Sequence, residues 1–193
     1  AVLNNRITSI DEIKKYIGYA RKCDITVLQP DINKSSGEFS VENGAIRFGL
    51  AAIKNCGENA VKMIIAERER AGEFKGLNDF FERIDLSYIN KRLIESFIYG
   101  GAFDCFGVNR SSLIRAYEPA LNRISKDKKI KEQGQFSFFE MMKTDNEAQE
   151  DYPEAEEYSL KQKLFFERDV LGVYVTGHPL KQYEYIFEIT KFD

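Results

Sequence analysis

The chain has 193 residues and a formal net charge of −3, and its 43% hydrophobic content, with 15 Phe and 10 Tyr, excludes wholesale disorder. No apolar run approaches the roughly 20 residues needed to cross a bilayer, and the mixed, polar N-terminal stretch is unlike a signal peptide, so we expect a cytoplasmic protein without membrane contact. Three widely spaced Cys and a single His exclude a zinc site, a disulfide framework and a Cys–His nucleophile pair, and we expect no metal site.

The first 45 residues predict a helix, a short strand and a β-hairpin. Ser9 begins a capping-box pattern, and apolar residues follow at helical spacing to about residue 22. Residues 25–28 predict a strand, and residues 39–48 predict a hairpin. Asn43-Gly44 within that hairpin is typical of a tight type I′ turn. We treat residues 1–45 as one N-terminal element.

Helical patterns dominate from Gly49 onward, in a mildly basic stretch. Residues 44–128 carry 14 Lys and Arg against 11 Asp and Glu, a net charge of +3. Two helix–turn–helix units recur there, within residues 46–61 and 93–117. Pro119 is expected to kink or shorten the last helix. We therefore predict a tandem helix-hairpin-helix domain over residues 46–128.

The turn of the first hairpin suits a phosphate group. Gly57 allows the backbone to turn tightly, and the helix after it presents free N–H groups that can bind a phosphate oxygen. Lys54 and Lys62 add positive charge nearby. The candidate DNA-binding residues of this hairpin are Lys54, Asn55, Gly57, Glu58, Asn59, Ala60 and Lys62.

The second hairpin turns at Gly100, Gly101 and Gly107. The guanidinium of Arg110 and the hydroxyls of Ser111 and Ser112 then lie beside free backbone amides at a helix start, and this combination also suits a phosphate. The candidate DNA-binding residues here are Gly107, Asn109, Arg110, Ser111 and Ser112. Two such hairpins can hold both strands across the minor groove by the backbone alone, so binding would tolerate any sequence and weaken with salt. Gly in a turn and Asn at a helix start are also common structural devices, so a purely structural role for each hairpin stays open.

The character of the chain changes after about residue 128. Residues 129–170 carry 6 basic against 11 acidic side chains, and residues 145–157 hold seven acidic residues and no basic one. With Pro153 this predicts an exposed, mobile acidic linker within residues 129–158. Ser159 begins a second capping-box pattern, so residues 159–193 form a C-terminal helical segment. The predicted fold is mainly α: a tandem helix-hairpin-helix bundle with a small N-terminal strand and hairpin element and a C-terminal helical extension.

Several separated motifs resemble the C-family replicative polymerases of bacteria, the alpha subunits of DNA polymerase III, in order and spacing over about residues 10–181. They are residues 28–33, 46–54, 93–95, 101–104, 109–110, 171–174 and 177–180. The resemblance implies a tandem helix-hairpin-helix domain that follows the palm, thumb and fingers and contacts the duplex leaving the active site. Residues 1–45 would lead in from the fingers, and an OB-fold domain would follow residues 159–193.

The same resemblance implies what this chain lacks. The family's catalytic aspartates belong to the palm, and no matching segment occurs here. The parent chain would be a DNA-directed DNA polymerase that uses Mg²⁺, whereas this fragment would carry no catalytic residue and no cofactor. Its partners would be double-stranded DNA, the remaining polymerase domains and the sliding clamp.

A pentapeptide at residues 135–139 supports the clamp as a partner. Gln135, Phe136, Ser137, Phe138 and Phe139 resemble the peptide that docks replication proteins onto the sliding clamp, the beta subunit. Gln135 can hydrogen-bond at a pocket edge, while Phe138 and Phe139 fill an apolar cleft. The alternative is that these Phe side chains pack on the domain's own core.

Two other functions fit parts of the sequence. The chain can be a clamp-interaction module whose hairpins only pack. It can also be a helix-hairpin-helix DNA glycosylase, since Asp79 follows the first hairpin at a plausible distance for a catalytic Asp. An Asp at this position equally suits the start of a helix, where it faces the positive end of the dipole.

Overall fold

The computed structural model describes residues 2–7, 9–132 and 152–177, and within them the fold is mainly helical, as predicted. The helices are α1 (Ile10–Lys22), α2 (Glu58–Ala71), α3 (Leu77–Arg83), α4 (Lys91–Gly100), α5 (Arg110–Glu132) and α6 (Leu160–Leu171). The strands are β1 (Val27–Leu28), β2 (Ser40–Glu42) and β3 (Ala45–Arg47). Short 3₁₀ turns lie at Asn4–Arg6, Leu50–Ala52, Leu86–Tyr88 and Asp104–Phe106. Among the described residues, no helix combines the length and the hydropathy of a transmembrane span.

The three strands form one small sheet in the order β1-β3-β2. Val41 of β2 pairs with Ile46 of β3 in antiparallel register, and Val27 of β1 pairs with Ile46 in parallel. Asn43 and Gly44 have φ of 50° and 81°, the left-handed values that a type I′ turn requires. The predicted hairpin is therefore confirmed. Strand β3 crosses the boundary that we had drawn at residue 45, and one hydrophobic core contains residues from both sides of it.

Edge-to-face Phe rings join α3, α4 and the second hairpin in that core. Phe80 of α3 lies 5.1 Å from Phe74 and 5.2 Å from Phe103, measured between ring centroids. Phe103 also lies 5.6 Å from Phe97 of α4. All four side chains are buried, and each contributes roughly 1.5–3 kcal/mol to the free energy of folding. This cluster fixes the second hairpin firmly to the body of the protein.

Helix α5 is longer than the sequence predicted. It runs through Pro119 and the predicted domain boundary at residue 128, and so Pro119 does not shorten it. Proline removes the hydrogen bond to the carbonyl of Arg115, four residues earlier, but both residues are exposed, so water can satisfy that carbonyl. Tyr117 and Ile124 are buried on either side of the proline. Their packing outweighs the single lost hydrogen bond.

Part of the predicted exposed linker is packed on the protein, which corrects that prediction. Residues 152–157, here called the strap, have no helix or strand but contact two helices. The backbone amide of Leu77 donates to the Tyr152 hydroxyl at 3.1 Å, and the Asn109 side chain donates to the Ala155 carbonyl at 3.2 Å. The remaining linker residues, 145–151, and the pentapeptide at residues 135–139 lie outside the described residues.

Candidate nucleic-acid interface

The first hairpin presents an open helix start to solvent. Asn55 takes the left-handed conformation (φ 64°), and Gly57 then leads into α2 with no side chain capping that helix. Asn55, Gly57, Glu58 and Asn59 are exposed, whereas Ala60 is buried. The amides of Glu58, Asn59 and Ala60 have no hydrogen-bond partner among the described residues. Such amides, at the positive end of the helix dipole, are the groups that bind phosphate oxygens.

Both lysines predicted at this hairpin are engaged in exposed ion pairs. The Lys54 ammonium lies 3.0 Å from the Asp169 carboxylate of α6, and Lys62 lies 2.6 Å from Glu58. The hydrogen bond from Lys62 holds the pKa of Glu58 below its usual value. Exposed pairs of this kind are weak in water, so a phosphate group can compete for either lysine.

Sequence reasoning missed a second basic feature beside this turn. Asn55 lines a cavity of about 480 Å³ together with Asn90, Lys91 and Arg92 at the start of α4. The Arg92 side chain is exposed and has no partner among the described residues, while Lys91 pairs with Glu118. Two cations in the first turn of a helix oppose its dipole. The unfavourable placement of Lys91 and Arg92 at the start of α4 could have indicated an anion-binding role from the sequence, because a nearby phosphate would offset the repulsion.

The Asn55 side chain fixes the turn against α4. Its amide nitrogen donates to the Ser96 hydroxyl at 3.0 Å, and the Asn90 side chain caps α4 by accepting from the Leu93 amide at 2.9 Å. The open start of α2 and the basic start of α4 are therefore held in a fixed relation.

The second hairpin differs because Arg110 lies inside the protein. The Arg110 side chain is 1% exposed. Its guanidinium donates to the Asp104 carboxylate at 2.9 and 2.6 Å, to the Tyr99 carbonyl at 3.0 Å and to the buried Glu167 carboxylate at 3.3 Å. Burial lowers the pKa of Arg110, but the two carboxylates outweigh it and raise that pKa above its ordinary value. Arg110 was predicted as a charge facing DNA; in the folded chain the guanidinium instead neutralises two carboxylates.

The backbone around this guanidinium requires glycine. Gly101 ends α4 with φ of 83°, a conformation that L side chains rarely adopt. A Cβ atom at this position would also clash with the Arg110 guanidinium and lie 3.0 Å from the Asp104 carboxylate. The tight turn and the buried ion pair therefore depend on the same residue.

A carboxylate already occupies the start of α5. The backbone amides of Arg110 and Ser111 donate to the two oxygens of Glu157 in the strap, at 3.2 and 3.4 Å. Lys163 of α6 pairs with the same carboxylate at 2.9 Å, and the Tyr158 amide donates to it at 2.8 Å. Burial raises the pKa of Glu157, yet these hydrogen bonds hold it below its usual value. The helix start binds an anion, as its chemistry predicts, but that anion belongs to the chain.

The remaining candidates of the second hairpin lie around Glu157. Ser111 and Ser112 are buried, and the Ser111 hydroxyl has no hydrogen-bond partner among the described residues. Gly107 has φ of 70° and is exposed, and the exposed Asn109 donates its side-chain amide to the strap. The structure thus brings the predicted second site together, but under the strap.

Asp79, the catalytic candidate of the glycosylase alternative, lies in the first turn of α3. Its carboxylate accepts from the Lys75 amide at 2.9 Å and pairs with Arg83 at 3.0 Å. These contacts confirm the alternative prediction that Asp79 belongs to a helix start.

Comparison with known proteins matches a motif family over a range that includes the turns of both hairpins. A family model described as "Helix-hairpin-helix motif" matches residues 24–113. The chain is 39% identical to a DNA polymerase III subunit alpha from Borreliella burgdorferi over 95% of its length, and 42% identical to one from Deinococcus radiodurans over 90%. It is 38% identical over 95% of its length to the subunit from Vibrio cholerae. It covers only 16%, 13% and 16% of those three proteins, respectively.

Proposed function

Because the chain is related along nearly its whole length to one segment of the DNA polymerase III alpha subunits, we propose that it binds duplex DNA by the phosphate backbone as a non-catalytic part of a replicative polymerase. It would act in the bacterial cytoplasm beside the polymerase domains that carry Mg²⁺ and the chemistry. No cluster of His, Cys, Asp or Glu suited to a metal occurs in the described ranges. The proposed role of these ranges is binding, without a catalytic step.

The observation that carries this proposal is the open start of α2 at the first hairpin. Three backbone amides there lack partners among the described residues, and no side chain caps them. A phosphodiester oxygen satisfies such amides without any contact to a base. Binding should therefore depend little on sequence.

Charge around the first hairpin supports the same conclusion. Arg92 and Lys91 line the cavity at the turn. Lys54, the residue before Asn55, is also exposed. The partners of Lys91 and Lys54, Glu118 and Asp169 respectively, are exposed carboxylates that bind weakly in water. Each cation that meets a phosphate releases a counterion, so binding should weaken steeply as salt rises.

The test is the fluorescence anisotropy of a labelled mixed-sequence duplex between 50 and 200 mM salt. The variant Lys54→Ala/Arg92→Ala should bind more weakly, and the slope of log K against log salt should become less negative by about 1.8, roughly 0.9 for each lost phosphate contact. Lys22→Ala/Lys161→Ala is the matched control, because it removes the same charge from exposed positions on α1 and α6, outside both hairpins. The control should keep the original slope.

Two results would refute DNA binding by the first hairpin. One is an absence of binding at 50 mM salt. The other is an equal effect of the hairpin variant and the control, which would mean that only net charge matters. Two unrelated duplex sequences should give the same affinity if the backbone alone is read.

We also propose that residues 135–139 dock the chain onto a sliding clamp. The support for this proposal is the resemblance of residues 135–139 to clamp-binding peptides. These five residues lie outside the described ranges, so the support comes from the sequence. Phe138→Ala/Phe139→Ala should abolish binding to the clamp in a pull-down and leave DNA affinity unchanged. Retained clamp binding would refute the docking proposal. Clamp binding by a chain without any DNA affinity would instead favour the pure interaction module.

A further inference from the structure

The two hairpins stand in opposite states. The start of α2 is exposed and uncapped, whereas the start of α5 is covered by the strap and capped by the Glu157 carboxylate. Helix-hairpin-helix units in tandem would be expected to offer two equivalent phosphate sites. Only the first is open in this conformation.

We propose that Glu157 is a built-in substitute for a DNA phosphate at the second hairpin, and that the strap must leave before this hairpin can bind DNA. The inference rests on the proposed DNA-binding function. The chain then has two binding modes: a weaker one through the first hairpin alone, and a tighter one through both hairpins once the strap is displaced.

The contacts of Glu157 are those that a phosphate would make. Its two oxygens accept hydrogen bonds from the backbone amides of Arg110 and Ser111, the first two residues of α5, at 3.2 and 3.4 Å. Lys163 adds a positive charge 2.9 Å from the same carboxylate. Anions at helix starts are recognised by this combination of free amides, dipole and a nearby cation.

The Ser111 hydroxyl is an unused donor in the first turn of α5, on a residue whose backbone amide already donates to Glu157. The Ser111 side chain is 6% exposed, and its oxygen has no partner among the described residues. Buried hydroxyls are normally hydrogen-bonded, and leaving one unpaired is costly. A phosphodiester group offers more acceptor oxygens than a carboxylate, so it can accept from this hydroxyl as well as from both amides.

None of the six residues of the strap is fully buried. Three of its residues, Pro153, Glu154 and Glu156, are exposed, and the strap lines a cavity of about 640 Å³ together with Gly107 and Asn109 of the hairpin. Its three acidic side chains would repel DNA phosphates while the strap is in place. Release of the strap therefore removes both the competitor and this repulsion.

Glu157→Gln tests the inference, with Glu154→Gln as the matched control. Both substitutions remove one negative charge from the strap, but only Glu157 contacts α5. By anisotropy at low salt, Glu157→Gln should raise duplex affinity at least threefold more than Glu154→Gln. Amide NMR shifts of Arg110 and Ser111 should respond to duplex in Glu157→Gln, and to inorganic phosphate as a DNA-independent probe.

Ser111→Ala separates a ligand-binding role from a structural one. Since the buried hydroxyl has no partner among the described residues, its removal should not lower the Tm of the chain and should raise it slightly. In the Glu157→Gln background, the same change should lower duplex affinity by roughly tenfold to a hundredfold, as expected for a lost hydrogen bond to a charged group. Unchanged affinity would contradict a phosphate at this helix start.

Equal affinities of the two Gln variants, with no shift at Arg110 and Ser111, would overturn the inference and make Glu157 a permanent helix cap. The proposed function would survive that result if salt-dependent binding is still lost in Lys54→Ala/Arg92→Ala. If Glu157→Gln fails to fold, Tyr152→Ala replaces it, because it loosens the other end of the strap without changing charge. The same rise in affinity is then expected, and its absence would again overturn the inference.

Discussion

Glu167→Ala should destabilise the fold more than any surface substitution discussed above. Glu167 of α6 is fully buried and accepts hydrogen bonds from several elements. Arg110 donates to it at 3.3 Å, the Val175 and Thr176 amides donate at 2.8 and 2.9 Å, and the Thr176 hydroxyl and Gln29 also donate to it. This one carboxylate therefore joins α6, the end of the described chain, the residue that follows β1 and the second hairpin.

The magnitude follows from what the substitution leaves behind. Breaking a buried ion pair by removing one partner costs about 3–5 kcal/mol. Asp104 still neutralises Arg110 at 2.6 Å, which favours the lower end of that range, about 3 kcal/mol. For a chain of this size, 1 kcal/mol lowers Tm by roughly 2–4 °C, so a decrease of about 6–12 °C is expected.

Thermal unfolding followed by circular dichroism, together with urea titration, measures the effect. Asp169→Ala is the control, because Asp169 lies on the same helix but forms an exposed pair with Lys54 and should cost at most about 1 kcal/mol. Glu167→Gln should fall between the two, since it keeps an acceptor oxygen without the charge. A loss below about 1 kcal/mol for Glu167→Ala would mean that Asp104 alone satisfies Arg110, and the reasoning would be wrong.

Asp169, Glu67 and Cys56 each lead to one further prediction. Asp169→Asn frees Lys54 for DNA and should tighten duplex binding about twofold to fivefold at low salt, as seen by anisotropy; weaker binding would contradict this. Hydrogen bonds from two arginines hold the pKa of Glu67 at about 2, below its ordinary 4.5, so the stability it contributes is complete above about pH 4.5 and lost as pH falls toward 2. Urea midpoints across that window should fall less in Glu67→Gln, and an identical fall would rule Glu67 out as the cause. Burial raises the pKa of Cys56 to about 12, so brief alkylation at neutral pH should modify the exposed Cys23 first, and peptide mass spectrometry reporting the reverse order would refute this.

The elements that the sequence predicted well carry their signals locally. Ser9 and Ser159 accept from amides three residues ahead, as N-caps do, and Asn43-Gly44 makes the expected turn. Pro119 does not shorten α5, because the burial of flanking residues such as Tyr117 and Ile124 offsets its local cost of about 3 kcal/mol. A short-range rule cannot weigh that tertiary packing.

The sequence predicted the candidate site correctly only where the exposure of its residues is set by residues close by in the chain. At the first hairpin the turn residues are exposed and open, as their types indicated. At the second hairpin, Arg110 and its helix start are bound by Glu167 and Glu157, which are 57 and 47 residues away in sequence. Nothing near Arg110 in the sequence distinguishes a buried arginine from an exposed one. Only the fold brings the two carboxylates to it.

That separation also sets an order of events during synthesis. A ribosome adds about 5–20 residues per second, so Glu167 is made roughly 3–11 seconds after Arg110. Throughout that interval the nascent second hairpin has Asp104, six residues before Arg110, as its nearest carboxylate partner. Asp104 is therefore available to Arg110 as a counterion before α6 is translated and supplies the second carboxylate.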